Sequence, residues 1–290
     1  MRKEHWQQVN DMTKTKFWND MNQRRLIYAV FTLVATVPLI VPMGLPLTVN
    51  HWTKKFYDSI ENLPEGSTIL ISNCIQTPPK GTEMEGPFLA FMRHIFAKPG
   101  LKFVIVSFYS DGPLAVEYAK TQLDMSKKVY GTDWVHLPYI AGMESALNAI
   151  GADIRQTTSL DYYGTPIANL PLMKDLNKAE DFDFSVLMLV GMSPGIEEHL
   201  RQWWYPHHLE FSAIATGISI PYVQQYYAQG LCHGYLQSVR GGAEYEKMLG
   251  FSGVSTSATE SLSATHIFTI ALVLIGNGKF VYDKYRGGKK

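Results

Sequence analysis

The sequence has little cysteine, no net charge and no nucleotide-binding motif. Only Cys74 and Cys232 are present among 290 residues, and the 26 basic residues equal the 26 acidic ones in number. Without an excess of basic charge, nucleic acid is not favoured as a partner. Neither a G-x-G-x-x-G stretch nor a P-loop occurs, so neither a dinucleotide nor a nucleoside triphosphate is supported, and no cofactor is predicted.

Metal-ligand clusters and glycosylation sequons are also missing from the sequence. His207 and His208 are followed by Glu210, but adjacent histidines rarely point at one site and no second cluster completes a ligand shell. No metal site is therefore predicted. The absence of Asn-x-Ser/Thr argues against a glycosylated protein of the secretory pathway.

A complete catalytic constellation is lacking too. Residues 191–195 read Gly-Met-Ser-Pro-Gly between an apolar run and a helical period, the order in which G-x-S-x-G hydrolases carry their serine. Pro194 has no N–H to give to the oxyanion hole, and Glu210 and His233 are predicted near strand starts, away from Ser193. We predict Ser193 as a helix N-cap with Pro194 at the first helical position, and an anchored serine hydrolase remains a third hypothesis.

Two apolar stretches stand out from this background. Residues 26–49 carry no charge over 24 positions, and about 20 suffice to cross the hydrocarbon layer. Residues 259–282 form a weaker second candidate, with small residues at its start and just before it that would let it approach the first closely. Alternatives are a cleavable signal peptide for the first stretch and a buried soluble helix for the second. The small residues are Ser257, Ala258, Ser261 and Ala264.

The charges divide at these apolar borders. Residues 1–25 hold six Lys/Arg against three acidic residues, and residues 279–290 hold five against one, which leaves 15 against 22 between them. By the positive-inside rule we expect both termini in the cytoplasm and residues 50–258 on the extracellular or periplasmic side. Residues 1–25 read as a basic amphipathic segment on membrane lipid, and residues 283–290 as a basic tail.

The region between the two apolar stretches alternates strand-like and helix-like segments. This pattern predicts a single doubly wound, mainly parallel α/β sheet of the Rossmann-like class. Because Cys74 follows one predicted strand and Cys232 begins another, we expect two buried free thiols rather than a disulfide. The predicted strands cover residues 67–72, 102–108, 133–140, 183–191, 210–217 and 232–238.

Small and polar residues follow most of these strands. In a parallel sheet such turns converge at the carboxyl edge, where helix N-termini offer unpaired N–H groups, so the sequence predicts a crevice for a small ligand. The alternative is that these residues only make tight turns. The predicted crevice residues are Ser110, Asp111, Gly112, Gly142, Ser193, Gly195, Gly217, Gly241 and Gly242.

Aromatic residues form the other candidate site. Residues 157–183 are a long segment with little period, which is typical of a functional or partner-bound loop or of a surface excursion. The leading hypothesis is a non-enzymatic accessory subunit of a membrane assembly that contacts other membrane-protein subunits or a second copy. The alternative is a ligand-binding or sensor domain. The predicted contact residues are Tyr162, Tyr163, Trp203, Trp204, Tyr226 and Tyr227.

Overall fold

The computed structural model describes residues 2–191 and 193–287, without side-chain detail for residues 2–20, 283 and 287. The predicted amphipathic face of residues 1–25 therefore lies mostly outside the described side chains, as does the tail from 288 to 290. The chain divides into two compact units, one of Pro46–Thr256 and one of Met1–Leu45 with Ser257–Lys290.

The unit Pro46–Thr256 contains a six-stranded, all-parallel sheet. Its order is β3-β2-β1-β4-β5-β6, so the prediction of a Rossmann-like α/β sheet is confirmed. Each strand begins within one residue of its predicted start. The strands are β1 (Thr68–Cys74), β2 (Lys102–Ser107), β3 (Trp134–Tyr139), β4 (Phe184–Leu189), β5 (Phe211–Ala215) and β6 (Cys232–Gln237).

Helices cover the sheet on both faces. One face packs on α5, α7 and α9, and the other on α2, α3, α4 and α10. A parallel sheet covered on both sides needs mainly apolar strands, and β1, β2 and β4 are mainly apolar and buried at every position after the first. The helices are α2 (His51–Glu61), α3 (Glu85–Ala97), α4 (Gly112–Gln122), α5 (Glu144–Ala152), α6 (Ile154–Thr157), α7 (Ile196–His199), α8 (Tyr205–His207), α9 (Ile220–Ala228) and α10 (Ser238–Met248), with a π-helical turn at Leu200–Trp204.

The long segment after α6 is part of the core. It contains three short 3-10 helices, at Ile167–Asn169, Pro171–Lys174 and Ala179–Asp181. Met173 and Ala179 are fully buried against the α5 side of the sheet. The weak helical period of this segment reflects short 3-10 turns that place apolar residues irregularly, and its buried residues make it more than a surface excursion.

Two helices are long and apolar enough to cross a membrane: α1 (Arg2–Ile40), over its residues Met21–Ile40, and α11 (Val254–Gly287). Of the apolar stretch 26–49, the residues up to Ile40 are helical and residues 41–49 are not. Pro42 and Pro46, which cannot donate backbone hydrogen bonds, lie in this non-helical stretch. Within the unit of Met1–Leu45 and Ser257–Lys290, Ser261 Oγ of α11 donates a hydrogen bond to Ala35 O of α1 at 2.6 Å.

Three buried glutamates accept hydrogen bonds from backbone N–H groups near the end of α1, at the start of α2 and at the start of α11. Glu260 is 5% exposed and accepts hydrogen bonds from Met43 N and Leu45 N, in the non-helical stretch after α1. Glu244 is 0% exposed and accepts from Asn50 N (3.0 Å) and Thr53 Oγ1 (2.7 Å) at the start of α2.

The third glutamate, Glu246, caps the first turn of α11. Its carboxylate accepts from Gly253 N (2.9 Å), Ser255 N (3.0 Å) and Thr256 N (2.8 Å). The first N–H groups of a helix have no partner within the helix, so this carboxylate supplies what the backbone lacks. Ser255 itself packs against Gly242 of α10, where a β-carbon would approach its hydroxyl to 2.2 Å.

We expect Glu246→Ala to lower the free energy of unfolding of the Pro46–Thr256 unit by about 2–4 kcal/mol, because it leaves several buried donors without an acceptor. The matched control is Glu210→Ala, whose side chain is 59% exposed and whose loss should change stability by less than about 0.5 kcal/mol. Urea unfolding of the full chain in detergent micelles, followed by tryptophan fluorescence, measures both. Equal effects of the two changes would contradict the capping role.

Candidate functional site

The sheet reverses its strand order between β1 and β4, where ligands of Rossmann-like sheets bind at the carboxyl ends of the strands. Beside this point, between α7 and α9, lies a cavity of about 80 Å³. Its wall combines apolar side chains with glycine backbone and two carboxylates. The polar and aromatic part of the wall consists of Gly191, Gly195, Glu197, Glu198, Ser219 and Tyr222.

Polar groups at this crevice are bonded within the chain. Gly195 N donates to the carboxylate of Glu198 at 2.9 Å, which is the capping arrangement of α7. Ser219 Oγ donates to Gly191 O at 3.2 Å, and Thr216 Oγ1 to Val190 O at 3.2 Å. The Gly195 N–H, one of the predicted donors for an anion, is thus already bonded within the chain.

Glu83 likewise accepts hydrogen bonds from the turns after β5 and β6. It comes from the loop after β1, and its Oε2 accepts from Gly217 N at 3.0 Å and from Ser238 Oγ. The N–H of Gly217, which follows β5 and was predicted as part of the crevice, therefore already has an anionic partner. A carboxylate of the chain stands where a bound anion would accept these hydrogen bonds.

The turn after β2 is closed by Asn73. Its amide donates to Gly112 O at 2.8 Å and to Ser107 Oγ at 3.2 Å. A β-carbon on Gly112 would lie 2.8 Å from that of Ser107, so only glycine lets α4 begin this close to the strand end. Ser110 and Asp111 lie at the surface beside this turn, with no hydrogen bond from the Asp111 side chain to cap the helix.

The remaining predicted crevice residues do not come together. Gly142 lies after β3, with a φ of +124°, at the start of α5. Gly241 and Gly242 are inside α10 and not in the turn after β6, which is a correction to the prediction. They serve packing, because a β-carbon on Gly241 would approach the Leu236 backbone to 2.8 Å, and one on Gly242 would approach Pro87 to 2.8 Å.

Ser193 is not the N-cap that the sequence predicted. The helix begins at Ile196 with Gly195 in the N-cap position, and Ser193 is an exposed turn residue whose backbone oxygen accepts a hydrogen bond from Tyr109. Because the helix begins two residues later than predicted from Ser193, Gly195 is the N-cap, and its N–H donates to the Glu198 carboxylate. The nearest histidine along the chain, His199, has both ring nitrogens bonded to other groups.

That histidine forms a buried polar chain which sequence reasoning missed. His199 Nε2 lies 2.6 Å from Ser72 Oγ in β1, and Nδ1 lies 2.6 Å from Gly195 O. Because a carbonyl only accepts, Nδ1 carries the proton and Nε2 accepts from the Ser72 hydroxyl. Burial lowers the pKa of His199 to about 4, so the ring stays neutral and ties α7 to the central strand. No sequence signal links two residues so far apart.

The predicted contact aromatics separate into four places, the last of which, with Trp204 and Tyr226, is described in the next paragraph. Trp203 belongs to the core and not to a surface, because it is 1% exposed and its indole Nε1 donates to Leu147 O at 2.9 Å. Tyr227 packs against Tyr235 and His51 near α2. Tyr162 and Tyr163 lie beside edge strand β3.

Four aromatic side chains form what we call the aromatic face, made of Trp204, Tyr205, Tyr222 and Tyr226. The Trp204 and Tyr205 rings are 5.1 Å apart at a right angle, and Tyr226 Oη donates to Glu197 Oε1 at 3.2 Å. Tyr222 and Tyr226 are one turn apart on α9. Tyr205 is 56% and Tyr222 38% exposed, so the face presents large apolar rings with polar ends.

The cysteine and histidine side chains offer no metal site in the part of the chain that the structure describes. His207 Nδ1 pairs with Glu180 Oε1 at 3.1 Å, and His208 adopts a left-handed backbone conformation. Cys74 ends β1 and Cys232 begins β6, and both are buried and free, as predicted. Burial raises the pKa of each thiol to about 12.

The buried histidine predicts a dependence of stability on pH. Because the pKa of His199 is about 4 in the folded chain and ordinarily 6.5, the unfolded chain takes up a proton first as the pH falls. The free energy of unfolding should fall by on the order of 3 kcal/mol between pH 6.5 and 4 from this residue, and level off below. Urea unfolding of His199→Gln should show a shallower slope over that window. An unchanged slope would contradict a neutral, buried His199.

No protein-family model, no curated protein and no solved structure matches this chain.

Proposed function

We propose that this chain is a membrane-anchored, non-enzymatic accessory subunit of a larger membrane assembly, and that its α/β unit makes the protein contacts. The main support for this proposal is that hydrogen-bonding groups at the carboxyl edge of the sheet are bonded to side chains of the same chain. Glu83, Glu198 and Asn73 bond to the turns where a substrate or cofactor would bind. The cavity at this edge, about 80 Å³, is well below the 300–1,000 Å³ typical of ligand pockets, and two cavities of about 330 Å³ lie elsewhere, beside Arg93 and beside Lys55.

The aromatic face supports the contact role. Tyrosine and tryptophan are enriched at the centres of protein interfaces, because they bury much apolar area and keep a polar end for hydrogen bonding. Arg201 and Glu144, paired at 2.8 Å, provide a charged neighbour on the adjoining helices. A partner for this surface would present apolar area with polar groups at its edge.

The membrane anchor is proposed from the two apolar helices and their flanks. In α1 and α11, apolar residues such as Leu33 and Leu274 are more than 60% exposed, which suits lipid better than water. The basic residues at both ends of the sequence support cytoplasmic termini and an α/β unit on the extracellular or periplasmic side.

A second candidate function is binding of a small ligand in the cavity. It is favoured by the wall itself, in which Glu197 and Tyr222 flank apolar residues next to the sheet edge. The space admits only a molecule of a few non-hydrogen atoms. The carboxylates would suit a cation better than an anion.

The assembly role predicts the mass of the native particle. We expect the full-length chain, extracted from its own membranes in mild detergent, to run as a stoichiometric complex well above the 32.7 kDa monomer with its micelle. The double change Tyr205→Ser and Tyr226→Ser should weaken the complex more than tenfold, because it removes two rings of the contact surface. Native electrophoresis with proteomics measures mass and composition.

The control for this experiment is Leu114→Ser, which removes an apolar side chain that is 47% exposed on α4, away from the aromatic face. It should leave the complex intact. A dispersed wild-type monomer would contradict the assembly role and would favour the small-ligand cavity instead.

The proposed topology predicts which residues a membrane-impermeant maleimide reaches in intact cells. Asp124→Cys, in the α/β unit, should label from outside, and Lys284→Cys only after permeabilisation. The native Cys74 and Cys232 should stay unlabelled because both are buried, so the wild-type chain is the blank. Labelling of Lys284→Cys in intact cells would contradict cytoplasmic termini.

A further inference from the structure

A short turn covers the open edge of the sheet. β3 is an edge strand, and edge strands present unpaired backbone groups that can pair with other chains. Residues 161–165, which we call the clasp turn, lie against it. Tyr162 N donates to His136 O of β3 at 2.8 Å, and so takes one of the free carbonyl groups of that edge.

Two carboxylates hold the clasp turn in place. Asp161 is 3% exposed and accepts from Tyr130 Oη at 2.6 Å, as well as from the backbone N–H groups of Tyr163 and Thr165. Glu117 of α4 accepts from Tyr163 Oη at 2.5 Å. Lys120 Nζ donates to the same tyrosine oxygen at 2.9 Å.

Beneath the clasp turn lies a histidine whose ring has no hydrogen-bond partner. His136 is 0% exposed, and neither Nδ1 nor Nε2 meets a partner in the part of the chain that the structure describes. The Tyr162 ring lies 4.5 Å from it and the Tyr163 ring 6.1 Å. An unpaired buried N–H is costly, so this position is poorly satisfied even when the ring is neutral.

Protonation of the His136 ring would destabilise the form in which the clasp turn covers it. An imidazolium carries a full charge and two donors, and a buried charge requires a partner. The charged and titratable groups facing His136 are Glu117 and Lys120 from α4, Tyr130 from the segment before β3, and Asp161, Tyr162 and Tyr163 from the clasp turn. The only carboxylates among them, Glu117 and Asp161, are those that hold the turn closed.

We propose that the clasp turn is a proton-operated cover of edge strand β3, which opens when His136 takes up a proton. In one route, Glu117 or Asp161 turns to the imidazolium and releases the tyrosine hydroxyl or backbone N–H groups that it holds in the closed form. In the other route, the whole turn moves away and water reaches the ring. Either way the β3 edge becomes accessible for contact with another chain, and the half-buried Tyr162 beside it is exposed further. Burial lowers the pKa of His136 to about 4, and the opening itself would raise that value towards the ordinary one.

Hydrogen–deuterium exchange of the full chain in detergent micelles tests this proposal, with rates normalised to the intrinsic rate at each pH. Between pH 6.5 and 4 we expect exchange in a peptide covering residues 159–166 to accelerate at least tenfold, while a peptide covering β4 stays protected. In His136→Phe, which cannot take up a proton, the turn should keep its protection within about threefold.

A second variant and a matched control make the result decisive. His136→Gln also lacks a titrating ring and should behave as His136→Phe does, so a folding failure of one variant leaves the other. His199→Gln removes a second buried histidine whose pKa is also lowered to about 4, and should keep the acid-induced opening. Opening in a folded His136 variant over the same pH range, or a wild-type turn that loses protection only together with β4, would overturn the proposal.

Discussion

A buried carboxylate is costly unless hydrogen bonds replace the water it has lost, and this chain meets that requirement with backbone N–H groups. Glu246 accepts three of them at the start of α11, and Glu260 accepts two directly after α1. Both clusters lie where helical hydrogen bonding is incomplete. Charge and backbone therefore satisfy each other at the points where the chain enters and leaves its apolar helices, which apolar packing alone could not do.

The same pairing explains why the carboxyl edge of the sheet looks unlike a ligand site. In Rossmann-like domains the free N–H groups of this edge bind anions from solution. Here Glu83 and Glu198 provide those negative charges from within the chain. The backbone geometry of the fold is kept, while the Gly217 and Gly195 N–H groups at this edge are already bonded to carboxylates of the chain.

The sequence predicted the sheet well, because β-branched apolar runs and the turns between them depend on local periodicity. It placed the crevice less well, since Gly241 and Gly242 could equally be read as turn or helix residues. Only their contacts with Leu236, Pro87 and Ser255 decide the matter. Trp203 was undecidable for a similar reason, because a π-helical turn rotates the side chains away from the 3.6-residue period. Glu83 gave no signal, since its partners lie more than 130 residues away.

His199 and His136 show that burial alone does not determine what a histidine does. Both rings are excluded from water, and the pKa of both is lowered to about 4. His199 has a donor and an acceptor in place for its neutral form, so its protonation would break the hydrogen bond that ties α7 to the central strand. His136 lies under a turn of a few residues whose bonds are made by the carboxylates that an imidazolium would attract. Opening that turn breaks a few hydrogen bonds at the edge of the sheet and leaves the core intact, and the structure therefore yields to acid first at the sheet edge.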